Sequence, residues 1–268
     1  MSLARLVFLA ALLAHAPWAQ ALVFAVNEGV TYRVSNDEIR ARYAAIATDL
    51  SKMLGQAVRV EPVGDYKELR KGLASKAYDL ALVHPAHISI AALKDGYKLI
   101  AVTKGYTEYK ASFLVLSNAP YKALTDLRGL KLGLPDEDSI TAWMVRATVR
   151  EFMGDAKAMN YTYTRYQDAV PFMVENTFTQ AGATASAALV KDWVGKNGRV
   201  LGSSRPVPIK HLIASPSVNA EQLALLREYF TTLDSTEAGR KKLEPIKVTG
   251  YAAYDEAALL KLAGWLGL

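Results

Sequence analysis

The stretch LPDEDSITAWM, residues 134–144, sets three acids, Asp136, Glu137 and Asp138, directly before a Ser139-x-Thr141 pair. An apolar helical pattern, Ile140, Trp143, Met144, Ala147 and Met153, starts at once, and the preceding LKLGLP reads as a strand. The two hydroxyls therefore stand at the first turn of a helix. Backbone N–H groups there lack intrahelical acceptors and the dipole is positive, which suits an anionic oxygen cluster. The plain alternative is that Asp138 or Ser139 only caps the helix. Capping uses one such residue, however, and three acids before an anion cradle repel a fully ionised ligand unless one accepts a proton from it. On that argument Asp138 reads the acidic OH of a phosphate- or phosphonate-like monoanion, and sulfate is disfavoured.

The elements that must position this stretch come as an alternation of short β-branched runs and helical patterns. LVFAVNEG reads as a strand and 35–54 as a helix with a Ser35-to-Glu38 box and Gly55 at its end; AVRVEPV precedes a helix at 65–77, and YDLALV one at 85–93. Such a series implies a parallel sheet covered on both faces. A second series opens at LKLGLP and runs through the helix 139–153, NYTYTRY, the helix 168–176 and TQAGATASAA. The runs YKASFLVLS and VPIKHLIAS bracket it, and helical patterns at 220–233, 237–243 and 255–266 follow. If both runs cross between lobes, lobe 1 comprises 22–113 and 212–268, lobe 2 comprises 114–211, and the crossings form a two-strand hinge. The fold class is then α/β with two lobes, each a mixed, mostly parallel sheet flanked by helices, and a ligand sits where the strand carboxyl ends meet.

Positions that cluster at those ends are Asn27, Glu28, Asp65, Tyr66, His84, Tyr106, Tyr109, the 138–141 segment, Arg165 and Tyr166. Each has an ordinary explanation as well: tyrosines are often half-buried, Asp65 caps its helix and Arg165 pairs on the surface. His84 and His87 in VHPAH are spaced i, i+3 but lack a third ligand at tight spacing, so no metal is expected. His84 is read as a hydrogen-bond donor to an anion and His87 as an ordinary helix residue. Phosphate-loop, dinucleotide, hydrolase-elbow and zincin signatures do not occur, so neither enzyme chemistry nor a cofactor is expected.

Residues 1–21 read as a secretory signal, with Arg5 as the charged region, LVFLAALLA as the apolar region and AQA as the cleavage site. That apolar run is far below the ~20 residues of a membrane helix, so a soluble mature chain without stable membrane insertion is expected. No cysteine occurs, which removes disulfides, thiolate catalysis and a lipid-anchoring cysteine. The net charge of +6 is spread along the chain without an aromatic-interleaved basic stripe, which fits small anions and not nucleic acid. A free periplasmic monomer is expected.

Three segments in order, GDYKELRKGLASKAYDLALVHPAH, GYTEYKASFLVLSNAPYKALTDLRGLKLGLPDEDSITAWM and GRVLGSSRPVPIKHLIAS, resemble the periplasmic solute-binding proteins of phosphate, phosphite and phosphonate ABC transporters, of the type II binding-protein fold. The resemblance implies a small oxyanion held in the interlobe cleft and handed to a membrane permease. Members typically use a Ser-Thr-Ser helix start and one tyrosine from each of two matching segments; Ser139, Thr141, Tyr66 and Tyr109 occupy those positions. The pattern departs at Ile140 and Ala142, which stand where the family has a hydroxyl and a glycine, and at His84, which stands where it has a glycine before proline. The family's histidine near Arg165 and its acid in the run matching TQAGATAS are also missing. Two other roles are compatible with the same residues: a ligand sensor for a membrane kinase, or a binder of another small anion such as a sulfonate. A periplasmic enzyme with an unfamiliar site is a third.

Overall fold

The structure, a computed structural model, describes residues 21–29, 35–196 and 198–268. The expected leader at 1–21 lies outside these residues except for Ala21. The first sheet gathers β1 (Leu22–Asn27), β2 (Val58–Pro62), β3 (Leu80–Val83), β4 (Lys98–Thr103), β10 (His211–Ala214) and β11 (Tyr251–Ala252) in the order β11-β4-β10-β3-β1-β2. The second holds β5 (Ser112–Leu116), β6 (Lys131–Leu134), β7 (Asn160–Tyr163), β8 (Ala181–Thr184) and β9 (Gly198–Ser203) in the order β7-β6-β8-β5-β9.

Pairing is parallel between β1 and its neighbours β2 and β3, and between β6 and its neighbours β7 and β8. It is antiparallel wherever β5, β10 or β11 takes part. The expectation of parallel sheets therefore needs one amendment, with a topological cause. β4 ends at the cleft edge of the first sheet; the chain crosses there, enters the second sheet at its cleft edge and must run away from it. Ser112, the first residue of β5, accordingly pairs with Thr184 and Ser203, the last residues of β8 and β9. On the return, His211 opens β10 opposite Val83 and Val102. The two crossings pair with each other: Ser204 N donates to Ala111 O (2.8 Å), Val207 N to Tyr109 O (2.8 Å) and Ile209 N to Tyr106 O (3.0 Å).

Nine helices cover the sheets among the described residues: α1 (Asn36–Leu54), α2 (Tyr66–Ala74), α3 (Ala86–Lys94), α4 (Ile140–Met153), α5 (Ala169–Glu175), α6 (Ala187–Gly195), α7 (Ala220–Thr232), α8 (Glu237–Leu243) and α9 (Glu256–Leu266). Side-chain caps fix several starts: Ser35 accepts from Glu38 N, Asp65 from Glu68 N and Ser186 from Leu189 N. Strand alternation then sorts the first sheet into two faces. Phe24, Val26, Leu80, Leu82 and Leu212 pack under α1, α7 and α8. Ala25, Ala81, Val83, Val102 and Ile213 face the other way, into a core that continues through Phe113, Leu132, Val145 and Ala183 of the second lobe. α9 completes that shared core with Leu259, Ala263 and Leu266. It also ties the lobes a third time, because Arg150 on α4 donates to Trp265 O and the Trp265 indole N–H donates to Glu151 (2.9 Å). The expected two-strand hinge is thus supplemented by a helix contact that the sequence pattern did not announce.

Helix α5 lies directly on β8, and Gly182 permits the approach: a Cβ there would stand 2.6 Å from Val170 Cγ1 and 2.9 Å from Val174 Cγ2. Gly182→Ala must push this helix off the sheet and is expected to cost about 1–3 kcal/mol of unfolding free energy. Urea denaturation checks it, and a midpoint equal to that of the unsubstituted chain would contradict the packing described.

Candidate functional site

Pro135 ends β6, and a tight turn delivers α4: Asp136 Oδ1 accepts from Asp138 N (2.8 Å) and Asp136 O from Ser139 N (2.9 Å). Ser139 is the N-cap, its hydroxyl accepting from Ala142 N at 3.1 Å. Of the three acids, one shapes the turn, and the cap is the serine. By helix geometry the N–H groups of Ile140 and Thr141 have no intrahelical acceptor. Thr141 is 1% exposed, and its buried hydroxyl has no hydrogen-bond partner among the described residues. Ile140 and Ala142 are buried in the shared core, so the side chain at 140 packs inward and leaves only its N–H at the helix start.

Asp138 does something other than await a ligand proton. Arg70 on α2 grips it with two nitrogens, Nη1 to Oδ2 at 2.5 Å and Nη2 to Oδ1 at 2.6 Å. His87 Nε2 stands 3.4 Å from Oδ1 and 3.1 Å from Arg70 Nη2, and the Trp143 indole N–H also points at Oδ1 (3.4 Å). Burial alone would raise the carboxyl; hydrogen bonds from His87 and Arg70, with the guanidinium charge, outweigh it and hold Asp138 well below the usual carboxylate range. His87 is pushed below its ordinary pKa by burial, despite the neighbouring carboxylate. Its ring stacks on Trp143 (5.1 Å between centroids) and meets the edge of Tyr66 (6.5 Å). This cluster joins α2 and α3 of the first lobe to the start of α4 in the second. His87, read from sequence as an ordinary helix residue, is therefore part of the interlobe contact.

Two cavities open along the facing strand ends. The first, about 950 Å³, is lined by Glu28, Gly29, Asp65, Tyr66, 136–138 and 163–166. Its charged lining among the described residues is acidic, with Glu28, Asp65, Asp136, Glu137 and Asp138 against Lys67 and Arg165. The second, about 750 Å³, lies along the crossings and the start of α6, lined by His84, Tyr106, Tyr109, Gln167, Ser186 and Lys210 among others. Of the expected site residues, Tyr66, Asp138 and Arg165 meet at the first cavity and His84 and Tyr109 at the second. Ser139, Ile140, Thr141 and Ala142 line neither and are buried. Arg165 is exposed, its guanidinium 5.5 Å from the Tyr166 ring centroid. Burial, with Lys210 nearby, pushes His84 down to about 3, so the ring is neutral at neutral pH. Its fit depends on Gly29, where a Cβ would stand 3.0 Å from His84 Cδ2 and where φ is +99°.

Sequence reasoning missed Arg70 and Gln167. Arg70 had a signal: it lies four residues after Tyr66, on the same face of α2. Gln167 had none, yet its amide donates to the Tyr109 hydroxyl (3.1 Å) while its carbonyl accepts from Thr184 Oγ1 (2.7 Å) and Ala185 N (2.8 Å).

A family profile described as "ABC transporter, phosphonate, periplasmic substrate-binding protein" matches residues 29–259. The chain belongs to this family. Phosphonate-family members are solute-binding components of transporters, so a small ligand, a permease partner and a periplasmic setting follow from membership. Solved structures similar to this family member include a Xanthomonas citri protein bound to ATP (13% identity, TM-score 0.74, covering 92% of this chain and 97% of that one). PhnD1 of Prochlorococcus marinus in complex with methylphosphonate is similar at 16% identity and TM-score 0.67, with coverage of 92% and 97%. The aliphatic sulphonate binding protein SsuA of Escherichia coli is similar at 16% identity and TM-score 0.55, with coverage of 92% and 79%. At these identities the likeness establishes the two-lobe fold. No curated protein matches the chain. No helix among the described residues is long and apolar enough to cross a membrane.

The Arg70–Asp138 pair is partly exposed (40% and 37%), so its worth is discounted for solvent. A double-mutant cycle with Arg70→Met and Asp138→Asn, read by urea denaturation, is expected to give a coupling of about 0.5–1 kcal/mol. Because the folded carboxyl is depressed, that stability is complete above the ordinary Asp value of ~4 and is lost as pH falls through the folded value. A coupling that was instead lost as pH rose, at or below the ordinary histidine value of about 6.5, would assign it to His87.

Proposed function

We propose that the protein captures a small phosphonate- or phosphite-like oxyanion in the interlobe cleft, closes on it by hinge motion and presents it to the permease of an ABC importer, making and breaking no bond. The observation that carries this reading is the start of α4. A buried Thr141 hydroxyl without a partner stands there beside the N–H groups of Ile140 and Thr141, at the positive end of a fourteen-residue helix. Ser139 is at the same turn. In this reading Tyr66 and Arg165, at the first cavity, and His84 and Tyr109, at the second, complete the site from the first lobe, the crossing and the exposed rim when the lobes close. Support comes from family membership and from the similar PhnD1 structure, which holds methylphosphonate.

Asp138 enters this reading as the second lobe's half of a closing contact, with Arg70 and His87 as the first lobe's half. The lobes are taken to be 22–113 with 212–268, and 114–211, moving about the paired crossings. Residues 1–21 serve as a cleaved export signal and the mature protein acts as a monomer.

Titration calorimetry with methylphosphonate tests the cradle. Ser139→Ala combined with Thr141→Ala is expected to weaken binding by tenfold to a hundredfold, roughly what charge-assisted hydrogen bonds are worth. Unchanged affinity would remove the α4 start from the site. A melting temperature raised by alkylsulfonates and by no phosphorus oxyanion would reassign the ligand class.

A further inference from the structure

The second cavity differs from the first in sign of charge. Its charged lining among the described residues is Lys110, Lys191 and Lys210 against Glu108 alone. The ion pairs of the described residues involve none of these three lysines. By contrast, Arg70 and Arg42, the guanidiniums near the first cavity's acids, are spent on Asp138 and Glu28. The lysines come from three separate elements, Lys110 and Lys210 from the two crossings and Lys191 from α6. Three cations lining one space with a single carboxylate, and none of them ion-paired among the described residues, repel one another, and any motion that narrows the space raises that cost.

Lys210 is held there firmly. It sits in the left-handed region at φ +59°, which a side chain rarely adopts, and the strain is locked by hydrogen bonds. Its N–H donates to His84 O (3.1 Å), and its carbonyl accepts from both Thr103 N (3.2 Å) and Thr103 Oγ1 (2.9 Å). The ammonium lies 4.0 Å from the Tyr106 ring centroid. Apolar wall is supplied by Ala185, Val190 and Ile209. His84 and Tyr109, which the proposed function assigns to the oxyanion, line the same cavity.

We propose that this cavity is a second anion subsite, and that the ligand is a phosphonate bearing a carboxylate or second phosphoryl group at the far end of a short apolar body. The inference rests on the proposed function and deepens it. The far anion neutralises the lysines as the lobes approach, whereas an ammonium in the same place adds a fourth like charge. Closure is thereby linked to the charge of the ligand as well as to its head group.

Calorimetry with three probes tests this: 3-phosphonopropionate, propylphosphonate and 2-aminoethylphosphonate. The expected order is 3-phosphonopropionate tightest by about tenfold over propylphosphonate, the amine weakest, and the gap shrinking as salt rises. In Lys191→Met with Lys210→Met the ratio between the first two probes should collapse to about one. If 2-aminoethylphosphonate binds as tightly as 3-phosphonopropionate, or the ratio survives in the double variant, the second subsite is wrong while the α4 cradle stands. If none of the three binds, the phosphonate reading falls and this inference with it.

Discussion

The two crossing segments impose the constraint on which the architecture depends. Each leaves one sheet at its cleft edge and must enter the other at the corresponding edge, so β5 and β10 run against the strands beside them. That reversal leaves the carboxyl ends of β1, β3 and β4 facing those of β6, β7 and β8 across one cleft. Every loop in which these chains could place a ligand group therefore opens on the same space. The backbone pairs at Tyr109 and Val207 and at Ala111 and Ser204 hold the crossings side by side, so rotation about them is shared by both strands.

Other contacts limit that rotation. Helix α9 belongs to the first lobe by chain order, yet it donates and accepts hydrogen bonds with Arg150 and Glu151 of α4. The Arg70–Asp138 pair and the His87–Trp143 stack also span the lobes. A partly exposed ion pair adds little stability, so its value lies in geometry: a bidentate guanidinium accepts its carboxylate in one orientation only. The ring stack beside it, with His87 buried and Trp143 half-buried, gains more from excluding water. Together they fix how α2 and α3 meet the start of α4, the turn that holds Ser139 and Thr141.

Most elements were legible in the sequence because caps, turn residues and apolar periodicity are local signals. Ser35, Asp65, Ser139 and Asp255 start helices where the pattern places them, and Gly55 and Gly154 stop them. The candidate site was legible only in part. Ser139 and Thr141 announce themselves by position on a helix start, whereas the partner of Asp138 lies 68 residues away on another lobe and no spacing rule reaches it. The same holds for the lysines at 110, 191 and 210: each alone is an unremarkable surface residue, and only the fold turns them toward one cavity. Asp136 and Glu137 made the stretch conspicuous in sequence, but the structure gives Asp136 to the turn and leaves Glu137 at the cavity rim.

Ile140 shows why a departure from the family's hydroxyl pattern need not dismantle the cradle. Its side chain is 2% exposed and belongs to the core that both lobes share, so a hydroxyl at that position would have to turn away from the core to meet a ligand. What the position offers an anion is its N–H, and any residue but proline supplies that. His84 is the complementary case, a ring placed where the family has a glycine and accommodated because Gly29 yields the space. One substitution withdraws a polar group from the head-group end, and the other adds a neutral ring beside the lysine-lined cavity. If the proposed cradle and the proposed second subsite both hold, discrimination among ligands shifts from the helix start, whose backbone groups treat oxyanions alike, toward the chamber at 84, 109, 110, 191 and 210, where charge and shape differ from one anion to the next.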